Sequence, residues 1–266
     1  MILAVNAGNA LISAGLYSKE GQRAKAVFSG EGAATSYEHS YKLRSFIEAC
    51  GCEPRQVEGA IIAPVNPVSA MAMSEAVRMT FGVTPLQVGA GIRTGLDILL
   101  KDPATMGADM VAAAVAALSK YTPPVIIVTV GAIALVISAI NGRGQFMGAS
   151  IAPSPRLALS ALCERAAYLP ATAIEAPARL IGTDTREAIN SGVVYGAAAM
   201  IRGMTEMMLD KITDKPHNDH KAKIIITGSV APAILPYLGM EAELDENLIL
   251  DGLNFLYHRN RRNQAK

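Results

Sequence analysis

The side chains of this sequence that could do chemistry gather at glycine-bearing turns. Near the start the chain reads Asn6-Ala7-Gly8-Asn9-Ala10, and 123 residues later it reads Thr129-Val130-Gly131-Ala132-Ile133-Ala134-Leu135. A hard divalent cation wants anionic oxygen ligands, whereas Asn6 brings one neutral carbonyl and Thr129 one hydroxyl. Hydroxyls at such a tip can donate to the oxygens of an anion; Ala132 and Leu135 cannot. A third glycine-rich stretch, Gly89-Ala90-Gly91-Ile92-Arg93-Thr94-Gly95-Leu96, carries a cation and a hydroxyl. Asp109 opens a run of small residues, where a carboxylate is either a working base or an anion favoured by a helix dipole. His217 and His220 complete the ligand candidates. Two histidines in a charged loop are expected to be solvated, so no metal site is assigned to them.

Elements must hold these residues in place, and the bulk sequence bounds what they are. A chain of 266 residues has room for two domains. With 51% apolar and 5% aromatic residues, its core must be aliphatic. A formal charge of +1 gives no reason to expect nucleic acid or acidic lipid as a partner. The one basic cluster, Arg259, Arg261, Arg262 and Lys266, reads as a solvated tail. Cys50, Cys52 and Cys163 are too few and too oddly spaced for a disulfide framework, which fits a reducing, cytoplasmic setting. Met1 leads straight into an apolar run with no basic region before it. Residues 121–142 carry no charge and are long enough to cross a bilayer. Their β-branched content, the break at Gly131 and the flanking Pro124 and Asn141-Gly142 read instead as two buried strands of a hairpin.

The chain repeats itself. A shift of 123 residues lays Val5 on Val128, Gly8 on Gly131, Gly21 on Gly144 and Gln22 on Gln145. Each half opens with strand, glycine turn, strand, turn and a third strand. Alternating helices and strands follow, with helices expected at 37–49, 68–81, 105–120, 156–168, 185–212 and 249–260, and strands at 57–63, 85–88 and 223–227. Residues 213–221 read as the clearest loop. The expected fold is α/β, with two duplicated ribonuclease-H-like domains, 1–118 and 119–266. In the actin and hexokinase superfamily, which has this architecture, two such domains flank a nucleotide cleft and each supplies a glycine hairpin to the phosphates.

The loop from Gly89 to Leu96 closely resembles the G-P-G-φ-K-T-G-φ motif of type III pantothenate kinases. Gly107-Ala108-Asp109, the run from Gly148 to Pro153, Glu164-Arg165, Leu169-Pro170, Gly182 with Thr185, Ala188, Ser191 and Gly192, Thr227-Gly228 and Leu250-Asp251-Gly252-Leu253 match the same family in order. The resemblance implies ATP-dependent phosphorylation of pantothenate in coenzyme A biosynthesis. It also implies a homodimer and a need for Mg2+ and a monovalent cation, K+ or NH4+. Carried over, Asp109 is the base that takes the pantothenate hydroxyl proton. Gly89, Gly91, Arg93, Thr94 and Gly95 shape the pantothenate pocket, with Thr185 reaching it. Asn6, Gly8, Asn9, Thr129 and Gly131 lie at the phosphates, and Thr227 and Gly228 border the adenosine.

The sequence departs from that family where charge matters. The family's first hairpin reads D-x-G-N-T and its second roughly D-x-G-T-A-T-T, so both carboxylates and several hydroxyls are absent. Met110 follows Asp109 where the family has an arginine, the natural fork for a carboxylate. Leu100 stands in place of the usual tyrosine, and Asp102-Pro103 in place of Asn-Pro. Phosphoryl transfer leaves a protein mainly positioning and charge stabilisation to supply, and loss of one donor costs about a hundredfold or more in rate. The expectation is a catalytically degenerate homologue acting as a partner subunit or regulator, in a homodimer or a heteromer with an intact type III pantothenate kinase. A divergent active kinase for pantothenate or a similar small alcohol, and a small-molecule-binding module without ATP chemistry, are the alternatives.

Overall fold

The computed structural model describes residues 1–30, 34–64, 67–166, 169–170, 172–212 and 222–261. The expected loop at 213–221, with His217 and His220, and the tail residues Arg262 and Lys266 lie outside the described residues. The elements run β1 (Ile2–Ala7), β2 (Leu11–Ser18), β3 (Gly21–Ser29), α1 (Ser36–Ala49), β4 (Gly59–Pro64), α2 (Pro67–Phe81), β5 (Leu86–Gln87), β6 (Asp97–Ile98) and α3 (Ala108–Lys120). After them come β7 (Val125–Val130), β8 (Ala134–Ile140), β9 (Gln145–Pro153), α4 (Pro155–Arg165), α5 (Thr185–Ile212), β10 (Lys223–Thr227), α6 (Ala231–Ile234), β11 (Glu243–Leu244) and α7 (Leu248–Arg261). The uncharged stretch 121–142 is the β7–β8 hairpin, and no described helix is long and apolar enough to cross a membrane.

Two compact units result. The first holds residues 1–96, 101–119 and the chain from Asn247 onward; the second holds Asp97–Leu100 and Lys120–Glu246. The first sheet is ordered β3-β2-β1-β4-β5, with β1, β4 and β5 parallel and β2 antiparallel to both of its neighbours, β1 and β3. The second repeats it as β9-β8-β7-β10-β11 and adds β6 at the β9 edge. Both sheets have the expected ribonuclease-H-like arrangement.

The duplication extends to register. Ile2 pairs with Tyr17 and Val125 with Ile140, and a register shift falls between Leu16 and Tyr17 and again between Ala139 and Ile140, each 123 residues on. The third strand breaks the correspondence. Tyr17 pairs with Gln22, but Ile140 pairs with Phe146, so Gln145 does not occupy the place of Gln22. The second turn is one residue longer. Asn141 organises it, its Oδ1 accepting from the N–H groups of Arg143 and Gln145 at 3.0 Å each.

Continuous apolar runs place β1, β4, β7 and β10 inside their sheets, as strands covered on both faces require. In the first unit, α1 starts with a capping box at Thr35 and Glu38. It buries His39, Leu43, Phe46 and Ile47 at helical spacing. Leu43, Phe46 and Ile47 pack with Leu3, Val5, Ile12, Leu16 and Met73 in one apolar cluster. The other layer is α3 and α7. Seven consecutive residues of α3, from Val111 to Ala117, are buried. A Cβ on Gly252 of α7 would run into the backbone of Ala112 in α3, so glycine permits helix–helix contact there. The expected boundary at 118/119 put the closing helix in the second domain, whereas α7 packs on β1, β2 and β4 of the first.

The second unit has its own cluster, in which Ile126, Val128, Leu135 and Ile137 meet Val194 and Ile201 of α5. Its far edge is pinned by charge. Lys223 Nζ lies 2.6 Å from Glu243, Lys120 Nζ lies 2.6 Å from Asp245, and the Tyr121 hydroxyl donates to Glu243 at 2.7 Å. Elsewhere the expected helix at 105–120 divides. Asp102 caps a separate 3-10 turn at Pro103–Thr105, accepting from Ala104 N–H at 3.0 Å, and α3 begins only after Gly107.

His39 gives the fold a pH dependence. Burial, with Lys42 nearby, holds its imidazole below the ordinary value, so the unfolded chain takes up a proton that the folded chain refuses. Stability therefore falls as pH drops through about 6.5. Urea midpoints measured between pH 7.5 and 5 are expected to decline more steeply for the wild-type chain than for His39→Leu.

Candidate functional site

The two glycine hairpins join β1 to β2 and β7 to β8, and each is shaped by one close approach. A Cβ on Gly8 would lie 2.5 Å from the carbonyl of Leu11, and one on Gly131 would lie 3.1 Å from the carbonyl of Ala134. Leu11 and Ala134 are equivalents in the duplication. Neither glycine needs a left-handed φ; closeness alone selects them. In the second hairpin the Gly131 N–H donates to Ala134 at 2.9 Å and closes the turn. Both tips are tied to the end of the third strand. Gly30 N–H donates to Ala10, and Ser154 N–H to Ile133, at 2.9 Å each. Ser154 adds a hydroxyl bond of 2.6 Å to the Ala132 carbonyl while it caps α4.

The side chains on these frames are neutral. Asn6 is half-buried on β1, and its Oδ1 is buried without a hydrogen-bond partner. Thr129 holds the same place on β7 and pairs across the sheet with Thr227 of β10. Leu135, expected among the lost donors, is 1% exposed inside the second core, as its equivalent Ile12 is inside the first. Its apolar character is a packing requirement, not a loss at the tip. Ile133 does stand out at the tip, 44% exposed. Beyond β10, Gly228 has φ +101°, and a Cβ there would collide with the carbonyl of Val130. Neither the amide of Asn6 nor the hydroxyl of Thr129 is the anionic oxygen that a divalent cation needs. Among the described residues no three His, Cys, Asp or Glu side chains come together to hold a metal.

The residues expected on the acceptor side, Asp109 and the loop from Gly89, lie in the first unit. Asp109 lies in the first turn of α3, half-buried, and its Oδ1 accepts from the N–H of Met110 at 2.9 Å. A Cβ on Gly107 would meet that carboxylate at 2.8 Å, so the glycine leaves it room. In the loop, Gly91 (φ +87°) and Gly95 (φ +70°) take left-handed turns that other residues adopt at a cost. Thr94 Oγ1 accepts from Leu96 N–H at 3.2 Å, and Arg93 is exposed. Two residues that sequence reasoning passed over hold this loop. Asn260 of α7 bonds both backbone groups of Arg93, and the Arg259 guanidinium donates to the Thr94 carbonyl. Arg259, expected in a solvated tail, is thus a structural contact. The only signal was the amphipathic closing helix that ends at these positions.

In the second unit, Thr185 is exposed at the start of α5. Asp184 Oδ1 accepts from Glu187 N–H at 2.9 Å and caps that helix. Gly182 packs on the backbone of the same turn. Further along α5, Gly192, Gly196 and Gly203 lie on one face with open space where a Cβ would be. Met200 and Met207 are 38% and 58% exposed on the same side, and Ile181 just before the helix is 82% exposed.

A family model described as type III pantothenate kinase matches residues 2–207. The type III pantothenate kinase of Shouchella clausii is 36% identical over 261 residues, covering 98% of this chain and all of its own. Among solved structures, component A of the Acidaminococcus fermentans (R)-2-hydroxyglutaryl-CoA dehydratase superposes with a TM-score of 0.56 at 13% identity, covering 100% of this chain and 99% of its own. The activator of the Clostridium difficile 2-hydroxyisocaproyl-CoA dehydratase, solved with ADPNP bound, gives 0.53 at 9% identity, covering 99% and 96%. These structural likenesses concern the fold.

Gly228→Ala should destabilise the chain by roughly 2–3 kcal/mol in urea unfolding, because strain and collision coincide there. Gly142→Ala, with open space and no left-handed φ, should change stability by less than about 0.5 kcal/mol.

Proposed function

The chain belongs to the type III pantothenate kinase family, and from that premise we propose that it is a homologue that keeps the acceptor pocket but has lost the chemistry of its nucleotide site, serving as a partner subunit or regulator. The carrying observation is the pair of equivalent positions Asn6 and Thr129. Their backbone frame is kept, down to the glycine approach and the register, yet neither supplies an anionic oxygen. Magnesium is what neutralises the charge on transferring phosphates in this chemistry. Without an anionic ligand neither hairpin can organise that ion. Ser154, Gly131 and Gly228 are in turn needed for the shape alone.

What remains is on the acceptor side. The loop Gly89–Leu96 keeps two left-handed glycines, Arg93 and Thr94, and Asp109 stays at its helix end. Pantothenate is the proposed ligand, with Arg93 offering charge to its carboxylate and Asp109 facing its hydroxyl end. The partner is a second subunit, a copy of this chain or an intact paralogue. Three glycines in the middle of an exposed helix cost about 1 kcal/mol each against alanine. No described residue packs where their side chains would be. Close approach of another backbone accounts for them, and the exposed Met200, Met207 and Ile181 give that approach apolar area. A cytoplasmic setting follows from the substrate assigned.

Calorimetry with pantothenate and with magnesium-ATP separately, together with a coupled phosphorylation assay in potassium, tests the reading. Pantothenate should bind, magnesium-ATP should not, and turnover of the chain alone should be absent. Turnover abolished by Asp109→Asn would overturn it in favour of a divergent kinase, a reading that the 36% identity to a relative of full length supports. In the double variant Asn6→Asp with Thr129→Asp, magnesium-ATP affinity should rise by about tenfold or more. Gly196→Leu should abolish association with the partner subunit in size-exclusion chromatography and leave the melting temperature of the chain within a few degrees.

A further inference from the structure

We propose that the last turn of α7 is a clasp that fixes the shape of the Gly89–Leu96 loop, with Asn260 and Arg259 as positioning residues for the ligand held there. The ligand part of this inference rests on the reading of that loop as the pantothenate side of the site. The clasp itself does not.

The contact is made at two successive residues and is specific in kind. Asn260 Oδ1 accepts from Arg93 N–H at 2.9 Å, and Asn260 Nδ2 donates to the Arg93 carbonyl at 3.1 Å. One amide side chain thus satisfies both backbone groups of one residue, as a neighbouring strand does in a hydrogen-bonded pair. The second N–H of the same amide donates to the Leu256 carbonyl at 2.8 Å, one helical turn back, which fixes the direction of the side chain. Arg259 adds its bond to the Thr94 carbonyl. Those two positions lie between the left-handed glycines Gly91 and Gly95, and a Cβ on Gly95 would land on the Arg259 guanidinium.

The other bonds of the loop are local and few. Ile92 N–H reaches the Gly89 carbonyl at 3.2 Å, and Thr94 Oγ1 caps Leu96. With three glycines, and Ala90 where the matching motif has proline, the segment has more backbone freedom to lose than the motif implies. The clasp removes it from outside, and its anchor is firm. Leu253 and Leu256 are fully buried and Tyr257 nearly so, packing α7 on the first sheet. Arg93 has its backbone held while its side chain stays exposed. The side chain is thus carried at a fixed place on the surface, where it can meet an anion.

Hydrogen exchange of the full chain, read at residues 91–95, together with pantothenate calorimetry, tests the proposal. The Arg93 amide should be protected at least tenfold in the wild-type chain and lose that protection in Asn260→Ala. Pantothenate affinity should fall about tenfold in the same variant, while the melting temperature moves by no more than a few degrees. Asn260→Asp keeps the acceptor for Arg93 N–H but not the donor, and should recover part of both effects. It also serves if Asn260→Ala does not fold. An Arg93 amide that exchanges freely in the wild-type chain would overturn the clasp, as would equal protection in wild type and Asn260→Ala. A loosened loop with unchanged pantothenate affinity would overturn the positioning role. A protected loop in a wild-type chain that binds no pantothenate would keep the clasp and remove the ligand assigned to it.

Discussion

The carbonyl of Val130, at the end of β7, accepts the Val230 N–H at 3.0 Å and leaves no space for a Cβ on Gly228. This contact between the ends of two neighbouring parallel strands sets where the β7–β8 hairpin and the start of α6 can be. Outside the carboxyl ends of parallel strands is where open α/β sheets bind their ligands. Gly8 and Gly131 obey a related constraint, each pressed on a carbonyl of its own hairpin. Backbone-on-backbone contacts of this sort tolerate no side chain, whatever the chain is for. The glycines are therefore required by shape alone, independently of the polar side chains beside them.

That separation explains which parts of the molecule were legible in the sequence. Glycine spacing and apolar runs gave the two hairpins, the parallel strands and the repeat at 123 residues. The same information could not place the third strand of the second half, since one residue more in the turn at Asn141 shifts Phe146 into register with Ile140. Nor could it reveal β6 or β11, whose two residues each carry no periodicity. Leu135 shows the opposite error. Its position in a motif suggested a tip facing a ligand, while the alternation of β8 turns it into the core.

The candidate site was legible where residues act through local backbone shape and illegible where they act across the chain. Gly91 and Gly95 announced a strained loop by their identity. Asn260 and Arg259 lie 165 or more residues away from the groups they hold. Nothing in a basic, polar ending marks one amide as a strand-like partner. Asp109 lies between these cases, since its type and helix position were plain but the bond its Oδ1 accepts, from the adjacent Met110 N–H, is a local one that does not mark a function.

The return of α7 to the first sheet also bears on how the protein is made. A ribosome delivers the whole second unit, through Glu246, before any residue of α7 exists. The sequence of the second unit is therefore complete before α7 is made, while the first lacks the helix that covers β1 and β4 until α7 follows. Order of synthesis and order of completion are reversed, and the half translated first is finished last.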